Sequence, residues 1–226
     1  MISITTLNFL RELKENNNRD WFTANKSKYE IAKTEFEEFI SKLVIEIQKF
    51  DKSISHVDPK KTIFRIYRDV RFSKNKDPYK INFGAHIHPG NKQSVHSVAG
   101  YYIHIEPSGK SMLAGGAYMP PTEWIKAIRK EIGFNGEEFK TIINSKPFKT
   151  YFKLEGEKLQ RLPQGFDPMH EDIELLKYNS LIAVHNPTDK QVLSSNFLNH
   201  CCKAFKTLYP FEQFLNRSLC KKPTKF

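Results

Sequence analysis

Residues 99–120, AGYYIHIEPSGKSMLAGGAYMP, decide how this chain folds. Tyr101, Ile103 and Ile105 alternate with Tyr102, His104 and Glu106, and a second apolar run follows from Met112 to Met119. A period of two marks a strand with one face turned to a core. Pro107-Ser108-Gly109-Lys110 lies between the runs and supplies turn-forming residues, so the stretch predicts a β-hairpin and with it an antiparallel sheet. Upstream, INFGAHIH over 81–88 reads as another short strand of the same kind.

Working outward, the flanks read as helices. Leu7, Phe9, Leu10 and Leu13 recur at helical spacing over about 5–15, and Asn16-Asn17-Asn18 ends that run. From Trp21 to about Phe50, Phe36, Phe39, Ile40, Leu43, Val44 and Ile47 form one apolar stripe, which predicts a single long amphipathic helix capped by Asp20. A loop containing Pro59 is expected over 51–61. Pro120-Pro121-Thr122-Glu123 opens a helix that stops near Gly133, and Asn135-Gly136 leads into another. The stretch 154–167 has room for one more strand; 170–178 reads as helical, 180–184 as extended, and a last helix starts near Thr188. With no repeat, no low-complexity linker and no compositional boundary, the expectation is a single α+β domain over 1–226, mainly an antiparallel sheet with helices packed on it.

The chemistry concentrates in RIYRDVRFSKNKDPYK, residues 65–80. Three of the chain's eight arginines, Arg65, Arg68 and Arg71, fall there, while its other 28 basic residues are lysines. A forked guanidinium where the chain otherwise uses lysine suggests planar recognition of an oxyanion. As a strand the segment turns Phe64, Ile66, Val70 and Phe72 to the core; as a helix it lines up Ile63, Ile66, Tyr67 and Val70. The β-branched and aromatic content favours a strand running into a loop. Six basic residues face only Asp69 and Asp77, so the segment carries unmatched positive charge. Asp69 is expected to stay ionised and orient the arginines, and the Asp77-Pro78 turn to fold Tyr79 and Lys80 back over them. The alternative is an arginine–aspartate network that only pins a loop.

Charge elsewhere agrees. The formal net charge of +11 is concentrated in residues 51–100 (+6) and 201–226 (+5). That balance suits phosphate, nucleic acid or another anion, although a lysine-rich composition raises net charge with no partner involved. No apolar run of about 18 residues exists, so no membrane partner is expected. The opening residues do not resemble a signal peptide, and the expected location is cytoplasmic. Cys201, Cys202 and Cys220 have neither metal nor disulfide spacing.

The pattern Arg65-x-x-Arg68-Asp69-x-Arg71-Phe72 followed by Lys76-x-Pro78-Tyr79-Lys80 resembles the hallmark of a widespread bacterial family of about this length, the domain of unknown function 2461 family. Asn75 stands where that pattern has an aspartate. The opening, with Phe9, Leu10, Leu13, Asn16, Asn17, Trp21 and Phe22, is similar to the family's start. So is the later group of Pro163, Gly165, Phe166, His170, Leu175 and Leu176. The resemblance implies a single cytosolic domain and no established activity, cofactor or catalytic residue.

Other candidates are weaker. His86 and His88 alternate on one expected strand, as His104 and Glu106 do on another, which would suit a metal, but histidines on a solvated strand face need no ion. His170 is of the residue type that serves as a general acid or base, or caps the helix after it. Gly115-Gly116 is not followed by the lysine and hydroxyl residue of a phosphate loop. The leading expectation is binding of a phosphorylated or other anionic ligand by Arg65, Arg68, Arg71, Lys76 and Lys80, with Asp69 orienting the arginines and Tyr79 closing the site. No metal and no cofactor are expected. An enzyme acting on a phosphorylated or acyl substrate through Asp69 or His170 is one alternative; a nucleic-acid-binding or structural interaction module is another.

Overall fold

A computed structural model describes residues 1–90 and 96–220, the Cys220 side chain excepted, and shows an α+β fold with a five-stranded antiparallel sheet. Its strands are β1 (Phe83–Ile87), β2 (Tyr101–Ile105), β3 (Met112–Ala117), β4 (Lys153–Glu155) and β5 (Leu181–His185), in the order β1-β2-β3-β5-β4. The hairpin of residues 99–120 is present. Ser108 and Gly109 both have positive φ, 68° and 70°, which gives the turn a twist that matches its strands. Among the described residues no helix is long and apolar enough to cross a membrane.

The chain makes two compact units, each assembled from three separate stretches. The first, 1–87 with 102–113 and 186–203, holds α1 (Ile4–Glu15), α2 (Arg19–Ala24), α3 (Lys26–Phe50), α4 (Pro59–Thr62), β1 and nearly all of β2. Its core is the stripe read from the sequence: Phe36, Phe39, Ile40, Leu43, Val44 and Ile47 of α3 are buried with Leu7, Leu10 and Leu13 of α1. The expected helix over 21–50 is two helices. Asn18, not Asp20, caps α2 by accepting from the Trp21 amide at 2.9 Å. Asn25 then leaves helical geometry (φ −106°, ψ 20°) and its side chain returns to the Trp21 carbonyl at 3.0 Å, so α3 starts afresh at Lys26. The apolar stripe begins only at Ala32, which is why periodicity did not reveal the break. Ser3 and Thr6 at the start of α1 both donate to the Glu35 carboxylate of α3, tying the two helices.

The second unit, 88–101 with 114–185 and 204–226, holds α5 (Thr122–Asn144), α6 (Lys146–Tyr151), α7 (Ile173–Leu176), β4 and β5, and the larger part of α9 (Phe197–Cys220). β4 pairs antiparallel with β5, Leu154 opposite Ala183. The two helices expected around Gly133 run as one, kinked at Asn135 (φ −127°, ψ 37°). The helix expected from Thr188 is also split: Thr188 caps the short α8 (Asp189–Val192) in a capping box, and α9 follows from Phe197. Phe139, Phe148, Phe211 and Phe214 pack together as this unit's core, and the positive-φ Gly116 allows β3 to approach the Leu181 carbonyl and Phe211.

Candidate functional site

The 65–80 segment lies wholly in the first unit and is neither a helix nor a strand of the sheet. It is an extended run folded back on itself. Tyr67 and Tyr79 form an isolated antiparallel bridge, with the Arg68 amide donating to the Pro78 carbonyl at 2.9 Å and the Lys80 amide donating to the Ile66 carbonyl at 2.8 Å. The expectation of a strand entering a loop is corrected to this single bridge. Only Ile66 of the four residues expected to face a core is buried, and Phe72 is 96% exposed. Side-chain hydrogen bonds from Arg68 and Lys76 to loop carbonyls take the place of a ladder, so hydrophobic pattern carried little information there.

Arg68 staples the loop, donating to the Asp77 carbonyl at 3.1 Å and approaching the Ser73 hydroxyl at 3.4 Å. Lys76 makes a second staple, its ammonium 3.1 Å from the Val70 carbonyl. Asp69 accepts a forked pair from Arg71 alone, at 3.0 Å from Nε and 2.7 Å from Nη2. Those bonds, with a smaller pull from Arg65, hold the Asp69 carboxyl below the usual carboxylate range. Asp69 therefore orients one arginine rather than three.

Tyr79 is buried, not a lid. Its ring stacks on Phe22 at 4.0 Å and 12°, and its backbone is clamped by Asn17, whose side-chain amide donates to the Tyr79 carbonyl at 3.0 Å and accepts from the Tyr79 amide at 3.1 Å. The Asn-Asn-x-x-x-Trp-Phe opening and the Pro-Tyr-Lys close of the 65–80 segment are thus two halves of one packing unit. In the sequence Asn17 reads as part of a helix stop and of a family pattern, and Phe22 as part of that pattern alone; the clamp joins residues 62 positions apart and has no local signal. Around it Phe9, Phe22, Tyr29, Tyr67 and Phe83 form a ring cluster, in which burial first, and then Glu30 and Tyr67, push the Tyr29 hydroxyl up to about 12.

Three cations remain, and one of them, Lys74, is exposed on the loop. Arg65 is exposed and makes no hydrogen bond or ion pair among the described residues. The Lys80 ammonium sits 5.2 Å from the centroid of the Phe64 ring and has no carboxylate partner among them. Burial, and then the charge of Arg65, lower the Lys80 ammonium from its usual value, so the two positive charges sense each other.

The remaining candidates sit elsewhere. His170 belongs to the second unit, where its Nδ1 accepts from the Asp172 amide at 3.0 Å and its ring meets Phe166 edge-on beside Gly133. His86 and His88 fall in different units. No group of three or more His, Cys, Asp or Glu side chains is placed to hold a metal among the described residues. Burial raises the Cys201 thiol well above its usual value and the Cys202 thiol to about 11. The basic tail over 221–226 lies outside the described residues.

Among protein families, the model described as a conserved hypothetical protein (DUF2461) matches residues 5–214. No curated protein and no solved structure matches the chain.

Proposed function

This chain belongs to the DUF2461 family of conserved hypothetical proteins, and on that premise we propose that it binds a phosphorylated or other anionic ligand through Arg65 and Lys80. The observation that supports this reading is the division of labour among the cations. Arg68 and Lys76 are spent on loop carbonyls and Arg71 on Asp69, and Lys74 is exposed on the loop, while Arg65 and Lys80 sense each other's charge and neither makes an ion pair with an acid among the described residues. Two like charges close together are destabilising until an anion joins them. Lys80, half-buried above Phe64, supplies a poorly hydrated ammonium; Arg65 supplies a fork. Asp69, locked to Arg71, is not free to act as a base, which counts against enzymatic use of that residue.

Titration of the protein with inorganic phosphate and with pyrophosphate tests the site. Wild type should release or absorb heat on binding. Arg65→Gln combined with Lys80→Gln should weaken binding by roughly 10-fold or more, the scale of charge-assisted hydrogen bonds. Neither anion binding to wild type, or equal binding by the variant, overturns the reading.

One observation favours nucleic acid as the source of the phosphate. Phe72 projects almost fully into solvent from the basic loop, 5.9 Å from the Arg71 guanidinium that Asp69 holds in place, and an exposed ring beside cations suits base stacking. Phe72→Ala should then weaken a single-stranded oligonucleotide in fluorescence anisotropy while leaving phosphate binding unchanged.

A further inference from the structure

Two side chains of β2 and one from the residue just past its end, outside the Arg65–Lys80 pair, form a hydrogen-bonded line in the first unit. Tyr102 and His104 of the strand and Glu106 just beyond it occupy alternate positions and so project to the same side. Tyr102 Oη lies 3.1 Å from His104 Nδ1, and His104 Nε2 lies 3.0 Å from Glu106 Oε2. The His104 and Glu106 side chains are only 15% and 14% exposed. An ionised carboxylate has no proton to give, so Nε2 carries the hydrogen and donates to Glu106. A neutral imidazole with its proton on Nε2 has its lone pair on Nδ1, directed at the phenol. The order is hydroxyl, base, orienting acid, which is the arrangement that activates a nucleophile.

The surroundings suit a reaction better than a polar ladder. Phe64 stands beside the phenol, its ring centroid 6.3 Å from that of Tyr102, and Lys80 lies over the same Phe64 ring. Gly84 leaves space there: a Cβ on it would be in contact, at 3.4 Å, with both the Tyr102 hydroxyl and the Phe64 ring. At the other end of the line Glu106 borders an open cleft of about 390 Å³ whose lining carries both signs of charge, Arg11 and Lys14 with Glu12 and Glu15.

We propose that Tyr102 is a nucleophile for phosphoryl transfer, with His104 its general base and Glu106 the positioning residue that holds His104 in the required tautomer. Tyr102 Oη attacks the phosphorus of a phosphoester. The Oη–P bond forms as the bond from phosphorus to the leaving alkoxide breaks, and His104 Nδ1 takes the phenol proton and passes it to the departing oxygen. Water then attacks the phosphotyrosyl group with His104 again as base, restoring the phenol and releasing phosphate or its monoester. The nucleophile stands on its own geometry; the choice of a phosphoester rests on the anion reading of Arg65 and Lys80.

The test has two arms. An uncharged arylsulfonyl fluoride probes the nucleophile alone: the Oη–S bond forms, fluoride leaves, and His104 takes the proton. Peptide mapping of the full chain should show Tyr102 modified at least 10-fold faster than the exposed Tyr118 at pH 7.5. His104→Gln should slow Tyr102 at least 10-fold with an unchanged melting curve, and Glu106→Gln should slow it several-fold and displace its pH profile. Tyr102 reacting no faster than Tyr118, or at the same rate in His104→Gln, overturns the nucleophile. In the second arm, release of p-nitrophenolate from bis(p-nitrophenyl) phosphate should disappear in Tyr102→Phe and fall in the Arg65→Gln, Lys80→Gln variant. Labelling without turnover overturns the phosphoester assignment. Turnover that needs Tyr102 but ignores Arg65 and Lys80 overturns the anion site instead.

Discussion

Gly136 shows how one missing methylene fixes a contact in the second unit. It follows the kink at Asn135, and a Cβ there would collide with the Asp172 carboxylate. Asp172 is buried and accepts from Lys140 at 3.0 Å, and the hydrogen bonds that Lys140 donates to Glu137 and Asp172 raise its ammonium above its usual value. Gly136→Ala adds helix propensity but drives Asp172 from its partner. The clash should win, lowering stability by about 1–3 kcal/mol in urea unfolding, the scale of overpacking a close contact. In the sequence Gly136 reads only as a helix opener; the reason it is glycine lies 36 residues away at Asp172. Asn17 is the same kind of case, since nothing local states that its amide closes on Tyr79.

At the scale of elements the β2–β3 hairpin was the most legible piece, because turn chemistry and alternation are both local. Its anchoring was not. Asp189, at the start of α8, accepts from the Ser108 amide at 3.0 Å, the Gly109 amide at 2.9 Å and Arg11 of α1 at 2.9 Å. One carboxylate therefore joins a turn and two helices, all in the first unit. Asp189→Asn keeps the size but loses charge and half the acceptors. It should cost about 1–3 kcal/mol, the range for hydrogen bonds to an ionised group. Hydrogen exchange at the Ser108 and Gly109 amides should rise with it, and unchanged exchange would contradict the anchoring role. The long α3 was legible as a stripe and misread at its start. A side-chain cap from Asn18 and a backbone break at Asn25 are set by two hydrogen bonds that hydrophobic spacing does not encode.

For the whole molecule, each unit carries a histidine that burial keeps neutral. His88 in the second unit and His200 in the first are both lowered by burial from their ordinary value of about 6.5. Unfolding exposes both, and the unfolded chain then binds protons that the folded chain refuses. Stability from this source is present above about pH 6.5 and is lost as pH falls through that value towards the depressed folded one. His88 Nδ1 also accepts from the Gly90 amide at 3.2 Å, a bond that protonation removes. The melting temperature should fall between pH 7.5 and pH 5.5, and His88→Asn, which keeps an acceptor, should shrink that fall. An equal fall in both proteins would assign the acid sensitivity to other groups.

What the sequence determined by itself is what depends on neighbours along the chain: the apolar stripes of α1 and α3, the alternation and turn of the hairpin, the α+β class and the family pattern. Charge was legible as a total, with six basic residues against two acids over 65–80. Only the tertiary structure decided which of those charges are already used, because Arg68, Lys76 and Arg71 find oxygens through the folding of the loop, and Arg65, Lys74 and Lys80 find none among the described residues. The same holds for the line from Tyr102 through His104 to Glu106. Alternation places the three on one face, but rotamers and distances near 3 Å are set by packing, and hydrogen bonds depend on distance and angle rather than on residue type.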